Sequence, residues 1–195
     1  MRVAPVGLVA SRERAFELGC ETAALTHGHP SGYLSAGFMA LLIEEIVSGA
    51  SLPDSIQTTK QCLMAQPGHE EVLNAVENAM FLAQSDAPDT RMPVLGQGWV
   101  AEEALAIAVY CALVAPNFEE AVVLAVNHSG DSDSTGAIAG NICGALYRDA
   151  SIPARWLDRL ELKDEITAIA DDLAGVHEDT LDLESKQILE RYPGW

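Results

Sequence analysis

The sequence predicts an all-α fold of about seven to nine helices, and three observations carry that expectation. Apolar residues recur at three- and four-residue steps along most of the 195-residue chain. No window sustains the period-two alternation of a half-buried strand. Helix start and stop signals fall where the periodic runs begin and end. At 49% hydrophobic residues the chain can bury one substantial core, and its length argues for one domain spanning residues 1–195.

The elements follow in order. From Ser11 to Ala24, the apolar residues Ala15, Phe16, Leu18 and Ala23 are set among charges at helical spacing. Thr26-His27-Gly28-His29-Pro30-Ser31-Gly32 reads as a loop. A second helix carries Tyr33, Leu34, Phe38, Leu41, Leu42 and Ile46, with Ser48-Gly49 as its stop. Leu52-Pro53-Asp54 turns into a helix that runs to about Met64, and Glu70 to Ala83 has helical period again. Gln84 to Gly98, with two prolines and two glycines, is the longest candidate loop. Val100 to Val114 is a strongly apolar helix, and Asn117 with Glu120 is spaced as the capping box of the next one. A further helix runs from about Ser134 to Tyr147. Its glycines Gly136, Gly140 and Gly144 clear one stripe for a close backbone or a ligand, a tightly packed helix being the plainer explanation. Residues 152–195 form an acidic helical tail with no assigned role beyond packing.

Charge and cysteine usage narrow the function classes. Eleven Lys and Arg against 29 Asp and Glu give a net charge of −18, which repels a phosphate backbone and excludes nucleic acid as a general partner. A pyrophosphate substrate would need local help from a metal ion, backbone N–H groups or a well-placed arginine. No uncharged apolar stretch reaches the ~18 residues of a membrane span. Ser11-Arg12-Glu13-Arg14 stands where a signal-peptide cleavage site would lie. Cys20, Cys62, Cys111 and Cys143 form no C-x-x-C pair, so reduced thiols and a cytoplasmic location are expected.

The chemistry concentrates in Gly130-Asp131-Ser132-Asp133-Ser134-Thr135-Gly136. Asp131, Asp133 and Ser134 sit in the turn that feeds the glycine-striped helix, where two carboxylates and a hydroxyl can converge. Such oxygen-only donors suit Mg²⁺, Mn²⁺ or Ca²⁺. The plainer alternative is one N-capping aspartate and one solvated one. An EF-hand loop starting at Asp131 fails, because its twelfth position is Ile142 rather than Glu. A haloacid-dehalogenase-type phosphatase would need its first aspartate directly after a buried strand, and no strand pattern precedes Asp131.

The run from His128 to Gly140 closely resembles the C-terminal signature of ADP-ribosylglycohydrolases. Met1-Arg2-Val3-Ala4-Pro5-Val6-Gly7, Leu25-Thr26-His27 with Gly32-Tyr33, and Gly96-Gln97-Gly98-Trp99 before an apolar helix resemble further blocks of the family in the family's order. The family-like blocks span residues 1–147. The resemblance implies an all-helical orthogonal bundle and metal-dependent hydrolysis at the anomeric carbon of an ADP-ribose conjugate. It also implies two Mg²⁺ ions, with Mn²⁺ an alternative, and makes Asp131, Asp133 and Ser134 metal ligands. Arg2, His27, Gly98, Trp99 and Gly130 would lie against the ADP-ribose. Apart from the resemblance, Arg2 reads as a solvated terminal charge, His27 as a loop histidine and Trp99 as a core aromatic. His29, His69, His128 and His177 carry no assignment.

Only the family's C-terminal portion is matched. The family's N-terminal half, with a Thr-Asp-Asp-Thr motif and a further acidic residue, has no counterpart in these residues. The adjacent pair Asp171-Asp172 lacks the flanking threonines and reads as the solvated face of a helix. Three ligands are about half of what one Mg²⁺ takes, so weak metal binding and an inactive isolated chain are expected. Apolar faces left uncovered call for a partner chain or self-association. A catalytically dead ADP-ribose-binding or interaction domain and, more distantly, a metal-dependent phosphatase are the alternatives.

Overall fold

The computed structural model describes residues 1–84 and 92–193. Among them there is no strand, and the chain forms eleven α-helical segments. The longer ones lie close to their expected positions: α2 (Arg12–Ala24), α3 (Pro30–Val47), α4 (Leu52–Met64), α5 (Glu70–Ala83), α6 (Ala101–Val114), α7 (Phe118–Val126), α8 (Ser132–Tyr147) and α10 (Lys163–His177). The count exceeds seven to nine because α1 (Ala4–Val9), α9 (Ala154–Leu157) and α11 (Lys186–Arg191) have at most six residues each. Such segments are too short for a periodic pattern to register. Residues 85–91 of the expected Gln84–Gly98 loop lie outside the described residues, and Met92–Leu95 is a 3₁₀ turn.

The helix ends have identifiable causes. Ser51 caps α4, its Oγ accepting from the Asp54 N–H, with Pro53 in the first turn. Asn117 caps α7 through Oδ1, which accepts from the Glu120 N–H at 2.9 Å, while its side-chain amide donates to the Glu120 carboxylate. The Asn117–Glu120 pair thus caps α7 with one side-chain-to-backbone bond, and the return bond runs between the two side chains instead of from the Asn117 N–H. His29 caps α3, its Nδ1 accepting from the Ser31 N–H.

Two helices are apolar nearly all round and form the centre. On α3, Leu34, Phe38, Leu41, Leu42 and Ile43 are buried, and on α6 every residue from Ala104 to Ala112 is buried. Helices α2, α1, α4 and α8 pack on α3, while α5, α7 and α8 pack on α6. Glu45, buried on α3, is neutralised by Arg12 of α2, Nε to Oε1 at 2.5 Å. This pairing explains a carboxylate in an otherwise apolar helix.

Two expectations need correction. Among the glycines of α8, only Gly136 marks a close approach, since a Cβ there would lie 2.5 Å from Val126 Cγ1. Gly140 and Gly144 have room for a side chain and line a cavity of about 640 Å³ between α1, α3 and α8. The pair Asp171-Asp172 is not a uniformly solvated face. Asp172 accepts hydrogen bonds from Arg191 at 2.5 Å and from the Tyr192 hydroxyl at 2.8 Å, and so ties the end of α11 to α10.

Burial separates the four free thiols. Desolvation pushes Cys111 and Cys143 up to about 12 and the half-buried Cys20 up to about 11, whereas Cys62 is exposed. Titration of the native chain with a thiol reagent at pH 8 is therefore expected to label Cys62 quickly and Cys20 slowly. Cys111 and Cys143 should react only in denaturant, and rapid labelling of either in the native state would contradict this packing.

Candidate functional site

The site is built on the crossing from α7 to α8. Gly130 N–H donates to His128 Nδ1 at 3.1 Å, which leaves the ring proton on Nε2, 2.9 Å from Thr135 Oγ1. Thr135, fully buried, donates its own hydroxyl hydrogen bond to the Ala125 carbonyl at 2.7 Å. One histidine and one threonine thus fix the turn to the end of the preceding helix. Helix α8 begins at Ser132, two residues earlier than expected, so Asp133 and Ser134 belong to its first turn and Asp131 is the N-cap residue. Asp131 makes no regular capping bond with its side chain, and its carboxylate is instead engaged with Asp133 and Ser134 in the first turn of α8.

A second loop is clamped onto this turn. Asp131 N–H donates to the Gln97 carbonyl at 2.8 Å. Gly130 lies against the same peptide so closely that a Cβ would come within 1.8 Å of the Gln97 oxygen. Gly98 has φ +78°, and a Cβ there would meet Thr135 Cγ2 at 2.8 Å. From the first turn of α6, Glu103 Oε2 reaches back to accept from both Gln97 N–H and Gly98 N–H, each at 3.0 Å. Glu103→Ala would leave two N–H groups without their acceptor, at a cost of about 2 kcal/mol. Thermal unfolding should then begin roughly 4–8 °C lower at ~2–4 °C per kcal/mol. Glu103→Gln keeps an acceptor and should lose less; equal losses in the two variants would rule out this clamp.

These loops, the N-terminal residues and the start of α3 enclose a cleft of about 920 Å³, within the upper part of the ~300–1,000 Å³ range of small-molecule sites. Six of the eight residues singled out from the sequence line it: Arg2, His27, Gly98, Trp99, Asp131 and Ser134. Gly130 does not; it is packed beneath the Gln97 carbonyl, so its fixed requirement is backbone contact. Asp133 lies on the exposed side of the first turn of α8. Trp99 is not a core aromatic, since it is 67% exposed with Nε1 donating to Gln97 Oε1 at 3.2 Å, which leaves its ring face available. The Arg2 guanidinium donates to the Thr22 carbonyl in the last turn of α2 and to Thr26 Oγ1 at 2.7 Å, and Thr26 Oγ1 also meets His27 Nδ1 at 2.8 Å. Arg2 and His27 are therefore set by one threonine.

The Asp131 carboxyl is held below the usual carboxylate range, first by hydrogen bonding with the Asp133 side chain and then by Ser134. Three oxygen-bearing side chains thus converge. Two carboxylates in contact coexist stably only with a proton or a cation between them. Among the described residues no group of three or more His, Cys, Asp or Glu side chains is arranged to hold a metal ion. The donors that are present, two carboxylates and a hydroxyl, fit one side of the shell of a hard divalent cation.

Sequence reasoning passed over His128, Thr135 and Glu103. Glu103 had a legible signal, as a glutamate in the third position of a helix that reaches back to the N–H groups preceding it. The His128–Thr135 pairing spans seven residues across a turn, and no periodicity marks it.

Comparison with known proteins places these features in a family. The model of the family described as ADP-ribosylglycohydrolase matches residues 1–182. ADP-ribosylarginine hydrolase Tri1 of Serratia proteamaculans is 27% identical over 175 residues, covering 89% of this chain and 44% of that protein. The ADP-ribosyl-[dinitrogen reductase] glycohydrolase of Rhodospirillum rubrum is 42% identical over 52 residues, which is 27% of this chain and 18% of the relative. A solved structure titled ADP-ribosylglycohydrolase-related protein complex superposes with TM-score 0.71 at 28% identity, covering 92% of this chain and 59% of the solved one. The chain thus spans less than two thirds of the length of each of these relatives.

Proposed function

This chain belongs to the ADP-ribosylglycohydrolase family, and on that premise we propose that its cleft binds ADP-ribose and contributes one wall of a Mg²⁺-dependent site for hydrolysing ADP-ribosyl conjugates. The observation that carries the proposal is the convergence of Arg2, His27, Gly98, Trp99, Asp131 and Ser134 on one cleft from four separated stretches of sequence.

Each residue has a role that its surroundings allow. The exposed face of Trp99 stacks on the base or a ribose. Arg2, positioned by Thr22 and Thr26, faces the pyrophosphate, whose charge the rest of this acidic chain repels. His27 donates to a ribose hydroxyl or a phosphate oxygen. The N–H groups at the start of α8 favour negative charge near Asp131. Asp131, Asp133 and Ser134 would hold the cation. A bound divalent ion would supply Lewis acidity and orient the ribose hydroxyls as positive charge develops at the anomeric carbon. The protein's own contribution is to fix the sugar in place, which removes orientational freedom before the bond breaks. No side chain of this chain is assigned as general acid or base.

We assign the remaining ligands of the cation to a second segment, on this chain's own side of the cleft or from a partner or a second copy. Exposed Trp99 and Val100 at the cleft support such a cover. Four free thiols fit a reducing, cytoplasmic setting. The test is Mg²⁺-dependent release of ADP-ribose from arginine- or serine-modified protein, with Asp133→Ala alongside. Release that requires Mg²⁺ and is lost in the variant is the expected result for a complete site. The convergence of only three oxygen donors favours a second reading, a domain that binds ADP-ribose without cleaving it, and retained binding with no release would select it. Turnover of phosphate monoesters instead would replace both with a phosphatase.

A further inference from the structure

Arg2 and His27 reach the cleft from different segments, and a side chain that does not itself line the cleft joins them. The Arg2 guanidinium donates through Nη2 to the Thr22 carbonyl at 3.2 Å and to Thr26 Oγ1 at 2.7 Å, which leaves the N–H groups of Nη1 and Nε for a ligand. Thr26 Oγ1 has a proton of its own and two acceptors within reach, His27 Nδ1 at 2.8 Å and the Ala23 carbonyl at 3.4 Å. Hydroxyl hydrogen bonds run from about 2.5 to 3.0 Å, so the contact with Nδ1 takes the proton. The charge on Arg2 acts in the same direction, since a hydroxyl that accepts from a cation becomes the stronger donor. Nδ1 is then an acceptor, and the proton of the neutral ring sits on Nε2, the nitrogen left for a ligand. Contact also holds the ring: a Cβ on Gly32, in the first turn of α3, would lie 3.1 Å from His27 Cβ and 3.8 and 3.9 Å from its Cγ and Cδ2.

We propose that Thr26 is a positioning residue, which relays from Arg2 to fix the His27 ring with its proton on Nε2, so that Arg2 and His27 act on a ligand as one pair of N–H donors. The consequence for binding rests on the ADP-ribose reading of the cleft. Guanidinium, hydroxyl and imidazole form one directed chain in which each donor faces an acceptor. A pair held in this way recognises an acceptor oxygen. Valine in place of Thr26 has nearly the same shape and breaks the chain at its centre. Arg2 then loses one of its two acceptors, and the His27 ring is free to turn and to carry its proton on either nitrogen. Donors that are already ordered bind more tightly than donors that must be ordered by the ligand, because the loss of rotamer freedom has been met during folding.

The test combines titration of ADP-ribose in Mg²⁺ buffer with ¹⁵N spectra of the histidine rings of the full chain at about pH 8, above the ordinary histidine range. The wild-type His27 ring, identified by its loss in His27→Ala, should carry its proton on Nε2. Thr26→Val should move the ring nitrogen signals toward the average of the two tautomers and weaken ADP-ribose by about tenfold, the effect of one hydrogen bond to a charged group. The unfolding temperature should not fall. Thr26→Ser, which keeps the hydroxyl, should restore both readouts. In an Arg2→Ala, His27→Ala background, Thr26→Val should cost nothing further, because the threonine then has nothing to position. A wild-type ring proton on Nδ1, undiminished affinity in Thr26→Val, or the same loss in both backgrounds overturns the proposal while leaving the ADP-ribose reading in place. Failure of free ADP-ribose to bind the wild-type chain overturns that reading, and the ring spectra alone then decide whether Thr26 sets His27.

Discussion

Gly130→Ala is expected to abolish ADP-ribose binding and to destabilise the chain by on the order of 3 kcal/mol. The added methyl group would sit 1.8 Å from the Gln97 carbonyl oxygen, and the contact is with backbone, which no rotamer change relieves. Either the 96–98 loop or the 128–131 turn must move. Because Asp131 N–H is bonded to the same carbonyl, the carboxylate wall and the Trp99 loop would separate together. Calorimetric melting should shift downward by about 10 °C at ~2–4 °C per kcal/mol for a chain of this size. Gly144→Ala is the natural comparison, since a Cβ there meets nothing within 4 Å. It should leave the melting temperature unchanged or raise it slightly, because a helix-interior glycine gives up about 0.5–1 kcal/mol relative to alanine. Equal losses at the two glycines would contradict the packing described.

Asp131→Ala is expected to remove the divalent-ion dependence of ligand binding altogether, where Asp131→Asn should weaken it. Asp131 is the member of the Asp131–Asp133–Ser134 set that both lines the cleft and is in hydrogen-bond contact with the other two. Removing its carboxylate separates the cation from the ligand even if Asp133 still attracts it. Titration of Mn²⁺ into the chain with ADP-ribose present should give at least a tenfold weaker Kd in the alanine variant. Removing the carboxylate also removes its hydrogen bonding with Ser134 at the start of α8, so a modest loss of stability is expected in Asp131→Ala and a smaller one in Asp131→Asn, which keeps an acceptor. The folded-state value of Asp131 is depressed, so its stabilising contribution is present at neutral pH and is lost only as pH falls through that lowered value.

Helix positions were legible in the sequence because α3 and α6 are apolar on every face and the longer surface helices carry clear stripes and caps. Short elements were not. A six-residue helix such as α11 is held by Asp172 bonding to Arg191 and Tyr192, a contact across 19 and 20 residues that leaves no local pattern. The site divides in the same way. Asp131, Ser134 and Trp99 stand in compact motifs whose spacing can be read. The parts that place them, His128 on Thr135 and Glu103 on the Gln97 and Gly98 amides, depend on how two loops meet, and the sequence holds that information only through the fold. The glycine stripe of α8 was misleading because equal spacing implied equal crowding, whereas α7 presses on Gly136 and the far half of the helix faces a cavity.

Titration of ADP-ribose into the 195-residue chain in Mg²⁺ buffer, alongside an Asp131→Ala, Asp133→Ala double variant, tests the central claim most directly. The expected result is a micromolar Kd, about −8 kcal/mol, that weakens at least tenfold in EDTA and in the double variant. No binding to the wild-type chain, or the same affinity with and without the two carboxylates, would contradict it.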